Sequence, residues 1–493
     1  MNSQSADRSM SELNEKATSA WVLTLASLAS FMVALDALVV STALSKIRLS
    51  LGASIESLEW TVNAYNLSFA VLLMTGAALG DRFGRRRMFV AGLALFAAAS
   101  GLCALAGSIG WLIAARAVQG LSGALVTPLA MALLSAAFPP ARRARALGIF
   151  SGVTGLAVLG GPVIGGAIAQ GFAWQWIFWL NVPIALLIMA LAFTRIKESF
   201  GPRTPLDIPG LTLVTGAAFG LVWGLVRSNG AGWASLEVAT ALAAGFLLAI
   251  AFVAWEERAQ EPMVPMRFFR SGAFSSGSAA IFFLTGSLYG AVFFMAQFLQ
   301  TAQGYGPLGA GLRMLPWTGV VFVVAPMAGA LVNRIGERPL VASGLFLQAL
   351  GMTWLALVAA PEVAYVNLVA SLIIAGAGIS MAIAPAQNAV MGSVASGEIG
   401  KASGVYSMFR FLGGVFGIAI AVAVFERTGG FGSASAFSAG FAPAIGVAAG
   451  FSLLGAFAGL CLPSGRRPPS LAATGFREVQ PVSRLLLRAK RMP

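Results

Sequence analysis

Long apolar runs, each ended by a short polar break, repeat along this chain from about residue 21 to residue 462. A hydrocarbon layer about 30 Å thick takes about 20 apolar residues as helix, so runs of this length predict spanning helices. They fall over 21–44, 58–80, 88–107, 111–135, 145–169 and 176–195, then 206–227 and 236–255. Six more follow over 274–300, 311–333, 339–359, 364–386, 401–425 and 441–462. The first run is too long for the apolar core of a signal peptide, and the residues before it are polar and mixed in charge, so no cleavable leader is expected.

The breaks divide the chain. The Pro/Gly-rich stretch IKESFGPRTPLDIPG (196–210) closes the first six helices, and EERAQEPMVPMRFFR (256–270) opens the last six. The expected plan is an N-terminal segment over 1–20, a six-helix bundle over 21–195 and a linker with two extra helices over 196–270. A second six-helix bundle covers 271–462, and a basic tail follows over 463–493, with a short amphipathic helix at SRLLLRAKR. GALVNRIGERP, from Gly329 to Pro339, echoes GAALGDRFGRRR, from Gly76 to Arg87, and both follow the second helix of a six-helix block. Internal repeats of this kind mark transporter folds, whose substrate site lies between the halves. The fold class is an all-α membrane protein with fourteen spans.

Composition agrees with lipid as the solvent. Of 493 residues, 58% are apolar and 10% charged, against about 25% charged in soluble domains. The net charge of +14 would raise nucleic acid as a partner on a soluble protein. Here 25 of the 32 Lys and Arg fall in alternate loops and the termini, the distribution that sets topology. Both termini are therefore expected in the cytoplasm, with the chain in the plasma (inner) membrane and no nucleic-acid partner. The chain has no His, which removes the usual metal ligand and the side chain that ordinarily titrates near neutrality. Cys103 and Cys461 lie in apolar runs without pairing or metal spacing. No metal and no cofactor are expected, and nothing supports catalysis by an enzyme.

Charges inside a membrane are expensive and functional by default. Asp36 (FMVALDALVV), Arg116 (LIAARAVQG) and Arg410 (SMFRFLGG) stand out. Asp36 is the one acid well inside a predicted span, and Arg116 lies at a comparable depth in the outer half of the first bundle. Burial disfavours an ionised carboxylate and a guanidinium favours it, so a carboxylate pulled both ways can be poised to take up and release protons; a static ion pair is the competing reading. Arg410 suits an anionic group or a structural, snorkelling role. In the fifth helix, GIFSGVTGLAVLGGPVIGG brings small residues for close packing and Pro162 for a kink. In the loop GDRFGRRR, Gly80 and Gly84 permit a tight reversal, and Asp81 can cap a helix start.

With these residues in view, the chain resembles the major facilitator superfamily, in particular its fourteen-helix drug:proton antiporters, over nearly its whole length. Gly76, Gly80, Asp81, Arg82, Gly84 and Arg85 match the loop signature. Arg116, Gln119 and Gly120 match that of the fourth helix. Gly161, Pro162, Gly165 and Gly166 match the antiporter signature of the fifth, and Leu35 and Asp36 that of the first. WQWIFWLNVP (174–183) resembles the entry to the sixth helix, and FRFLGG around Arg410 resembles the thirteenth. Departures occur at Leu38, Ser41 and Ser45, where the family has Thr, Asn and Pro, and at Ala157, where it has Gly.

The resemblance implies two six-helix bundles around a central cavity, with the two middle helices outside it. It also implies a gating loop acting through Asp81 on the start of the thirteenth helix, and proton transfer between Asp36 and Arg116. The expected function is proton-coupled efflux, by alternating access, of small hydrophobic, neutral or monocationic compounds of the drug or antibiotic class, by a protein working as a monomer. An importer or a lipid or metabolite exporter on the same fold is the alternative. Substrate is expected to bind the state open to the cytoplasm and displace the proton from Asp36. Candidate substrate contacts are Trp60, Asn63, Gln119, Tyr289, Gln297, Asn388 and Arg410.

Overall fold

The computed structural model describes residues 3–202 and 205–464. The tail from residue 465 on, with its SRLLLRAKR segment, and Arg203 lie outside the described residues. The described residues form helices and connecting turns, with fourteen helices long and apolar enough to cross a membrane. In lipid each backbone N–H and C=O must find a partner, and a helix supplies one within its own segment.

The first six spans are Thr18–Leu51, Ile55–Phe83, Arg85–Ala104, Ile109–Ala137, Arg145–Gly171 and Trp176–Arg195. The seventh and eighth are Ile208–Ser228 and Leu236–Glu256. The ninth to fourteenth are Gly272–Thr301, Pro307–Val332, Glu337–Val358, Tyr365–Met391, Ile399–Thr428 and Ala434–Leu460. Every predicted helix is present, most of them longer at one end or both and a few ending one to three residues earlier. The last begins at Ala434 rather than near 441, because the Ser433 side chain accepts the Ala436 N–H and starts the helix within a Ser/Gly-rich stretch that hydropathy reads as loop. Ser54, Ser108 and Ser235 cap the second, fourth and eighth spans in the same way. These four serines share one end of the molecule; the Arg-rich loops gather at the other, called here the basic end.

Two spans are interrupted. The tenth runs as Pro307–Arg313, Leu315–Gly319 and Val321–Ile335, with Pro316 and Pro326 inside it, and the sixth is interrupted at Leu180. The echo between the halves is structural as well as sequential. Gly84 (φ +107°) joins the second and third spans and Gly336 (φ +85°) joins the tenth and eleventh, a left-handed conformation that glycine adopts without strain.

The two halves meet along three seams: the second span on the thirteenth, the first on the ninth, and the fifth on the tenth. The seventh and eighth spans pack on each other, and the seventh also covers the second and thirteenth from outside. There Trp60, Ala64, Leu67 and Val71 form one apolar cluster with Val222, Val226, Val415 and Ala419.

Candidate functional site

Asp36 is 2% exposed and Arg116 0%, so both are sealed inside the first bundle. Arg116 Nη1 donates to Asp36 Oδ2 at 2.5 Å. Gln119 Nε2 and Asn181 Nδ2 donate to Asp36 Oδ1 at 2.9 and 2.7 Å. The same two amides donate to Ser100 Oγ at 3.2 and 3.1 Å, and Ser100 Oγ donates to the Phe178 carbonyl at 2.9 Å. Arg116 also donates to Gln119 Oε1 at 2.7 Å and to the Thr61 carbonyl at 3.2 Å, with its guanidinium 4.2 Å from the centre of the Tyr65 ring. One carboxylate thus ties together the first, second, third, fourth and sixth spans. Removing its charge removes the group toward which three donors are turned, so its ionisation state and the packing of five helices depend on each other.

Ser100 and Asn181 were missed by sequence reasoning. Asn181 sits where the sixth span breaks at Leu180, inside the WQWIFWLNVP motif, and a polar residue at an irregular turn inside an apolar run was the available signal. Ser100 gave none, since serine is common in spans. Asn181→Ala deletes a buried bond to a charged group, and the expected loss of stability is about 1.5–3 kcal/mol, read from the thermal unfolding of purified protein.

The loop signature closes on the linker. Arg85 Nε donates to Asp81 Oδ1 at 2.8 Å, the Gly201 N–H to the Asp81 carbonyl at 3.2 Å, and the Arg85 N–H to the Ser199 carbonyl at 2.9 Å. The Glu198 carboxylate accepts the N–H groups of Arg86 and Arg87 at 2.8 and 3.2 Å. It thereby caps the third span with a negative charge, the arrangement that suits a helix start. Gly76 and Gly80 let the second span approach Ala124 and Leu129 of the fourth, and the Arg82 guanidinium lies over the Phe83 ring at 5.3 Å. The resemblance pointed Asp81 toward the start of the thirteenth span. In this structure its side chain bonds Arg85, and near this end Met74 of the second span lies on Gly404 of the thirteenth.

The fifth-span signature faces two ways. Gly161 and Gly165 lie against Leu38, Val39 and Thr42 of the first span. Gly166 lies against Pro307 and Leu308 of the tenth, and Gly311 of the tenth lies against the Pro162 carbonyl. These reciprocal contacts seal the fifth–tenth seam in its half away from the basic end. In the other half, a Cβ added to Gly148, Gly152 or Gly155 meets nothing within 4 Å, so the seam is open toward the basic end.

As a set, the remaining candidates do not line one cavity. Trp60 packs on Phe219 and Trp223 of the seventh span, with ring centres 5.9 and 5.8 Å away. Gln119 belongs to the Asp36 network. Gln297 is buried and donates to the Phe293 carbonyl of its own helix at 2.8 Å. Asn388 is exposed in the last turn of the twelfth span, Arg410 is exposed in the thirteenth, and Tyr289 is half-buried. Asn63 is buried and donates to Glu59 Oε1 at 2.9 Å.

Glu59 corrects one expectation: Asp36 is not the only acid well inside a span. The second span starts at Ile55 under its Ser54 cap, three residues before the hydropathy onset at 58, which puts Glu59 a full turn inside, with 0% exposure.

The sequence profile of the Major Facilitator Superfamily matches residues 26–418. The chain is 38% identical over 320 residues to the tetracenomycin C resistance and export protein of Streptomyces glaucescens, a match that covers 64% of this chain and 60% of that protein's length. It is 34% identical over 392 residues to the multidrug resistance protein Stp of Mycobacterium tuberculosis, covering 79% of this chain and 73% of the relative. Among solved structures, a D-xylose–proton symporter superposes with a TM-score of 0.64 at 16% identity, over 90% of this chain and 98% of that one, a likeness of fold. With fourteen spans among the described residues, two halves that meet along three seams and this profile match, the chain is a multi-pass membrane protein that belongs to the Major Facilitator Superfamily.

Proposed function

We propose that the protein exports small lipophilic compounds from the cell in exchange for protons, by alternating access. The observation that carries this reading is the Asp36 carboxylate, buried and held by Arg116, Gln119 and Asn181 from two other helices. A group so placed links proton uptake to helix packing, and hence to which end of the molecule is open. Relatives named for drug and antibiotic resistance and export support the outward direction.

The charge rule supports reading the basic end as the cytoplasmic one, with both termini on that side, and an exporter acting on the cell's own cargo belongs in the plasma membrane. The conformation described is then the cytoplasm-open state. A single chain supplies both sides of each seam, so a monomer suffices. The proton gradient is the only energy source required: about 1.4 kcal/mol per pH unit and about 2.3 kcal/mol per 100 mV for each charge moved.

The test uses vesicles in which the basic end faces outward and the interior is acidic. An exporter exchanging protons accumulates a lipophilic fluorescent probe as protons leave, and a pH dye inside reports the proton flux. Accumulation only when the interior is alkaline would identify an importer instead.

A further inference from the structure

Along the thirteenth span, Ser403, Ser407, Arg410, Gly414, Ile418 and Ala421 follow one another at spacings of three and four, which places them on one face. Toward the basic end this face is uncovered and polar: Ser403 and Ser407 are partly exposed and Arg410 is exposed. From Gly414 onward it is buried. A lipid-facing stripe would stay bare along its whole length. One that is bare only near the open end borders a space that narrows away from it.

The neighbouring faces agree. Gly404 and Phe411 lie on Met74 and Phe69 of the second span. Gly413 and Gly417 lie on Phe282 and Gly286 of the ninth. On the far side, Leu412 and Phe416 pack into the cluster that includes the seventh span. The Arg410 stripe therefore looks inward, between the second and ninth spans, into the space open at the basic end.

Arg410 takes part in none of the ion pairs found among the described residues. One turn farther in, the Tyr289 ring rests on Gly414, near enough to Arg410 to interact with it electrostatically. Tyr406 also senses Arg410, but its hydroxyl is turned to the Ile383 carbonyl at 3.5 Å. The three buried acids do not balance this charge: Asp36 is sealed on Arg116, Glu59 is fully buried near the other end of the second span, and Glu256, the last residue of the eighth span, accepts the Val264 N–H. The expectation of neutral or monocationic cargo turned on Asp36 reaching the cavity. With Asp36 sealed, the cavity exposes a guanidinium, a planar fork of donors suited to a carboxylate or phenolate and strengthened by low-dielectric walls.

We propose that Arg410, with Tyr289 beside it, is the cavity site at which the acidic group of an aromatic organic anion docks. The proposal rests on the export reading and narrows its cargo. Export of an anion against entry of a proton also lets an inside-negative membrane potential drive both movements.

The test compares two probes that share a ring system: anilinonaphthalene sulfonate, an anion, and its uncharged parent, phenylnaphthylamine. Binding to purified protein is measured by isothermal titration without any gradient, so this result and the export result can fail separately. Wild type is expected to bind the anion about tenfold tighter than the parent. Arg410→Gln should lose about tenfold for the anion alone, and Arg410→Lys should recover part of it. Unchanged binding of the parent by Arg410→Gln serves as the check that this variant is folded. Equal affinity of wild type for the two probes, or an equal loss of both in Arg410→Gln, would overturn the proposal.

Discussion

Asp36→Asn is expected to abolish gradient-driven accumulation in vesicles, a fall of at least about a hundredfold, as when the proton-carrying group of a coupled step is deleted. The substitution preserves shape, so the five helices have no steric reason to separate. It removes the charge that answers the Arg116 guanidinium, and it turns one acceptor atom into a donor facing other donors. A buried cation without its counter-ion costs several kcal/mol, so a lower unfolding temperature accompanies the loss. Cargo binding should persist, because the Asp36 network is closed off from the space that cargo enters. Full accumulation by a folded Asp36→Asn protein would refute the coupling role.

The second large effect is expected at Gly311. A side chain there meets the Pro162 carbonyl and the Val163 backbone, atoms that cannot swing aside as a flexible side chain can. Overpacking of this kind costs about 1–3 kcal/mol, enough to change the balance of two conformations by up to about a hundredfold. Gly311→Val should therefore pry open the seam away from the basic end and reduce transport to a comparable degree. Spin labels replacing Phe172 and Leu312, both exposed near that end, should report a longer distance. Gly148→Val is the control, since its Cβ has open space and should leave the distance unchanged. A seam that stays closed in Gly311→Val would show that these contacts do not set the conformation.

The fold was legible because lipid imposes a length and a helical backbone on every crossing segment, and the alternation of Arg-rich loops checks the count. The ends were less legible where a polar cap decides them. Ser54 and Ser433 start helices inside polar stretches, and the first of these hid Glu59. Within the site, Asp36 and Arg116 could be found because a charge in an apolar run is conspicuous. Asn181 and Ser100 could not, because an uncharged polar residue gains its meaning only from what tertiary packing sets opposite it. Trp60 and Gln297 illustrate the complementary limit. Their types suit a cavity, but which face of a helix looks inward depends on rotation about its axis, and that is fixed by neighbours such as the seventh span.

The most direct measurement is proton release on cargo binding. Purified protein in weakly buffered solution with a pH dye, held at a pH acidic enough for Asp36 to carry its proton before cargo is added, should release about one proton for each cargo molecule bound, since linkage requires cargo to shift protonation as protonation shifts cargo. Asp36→Asn, binding the same cargo, should release none. Equal release by the two proteins would contradict the assignment of the coupling proton to Asp36.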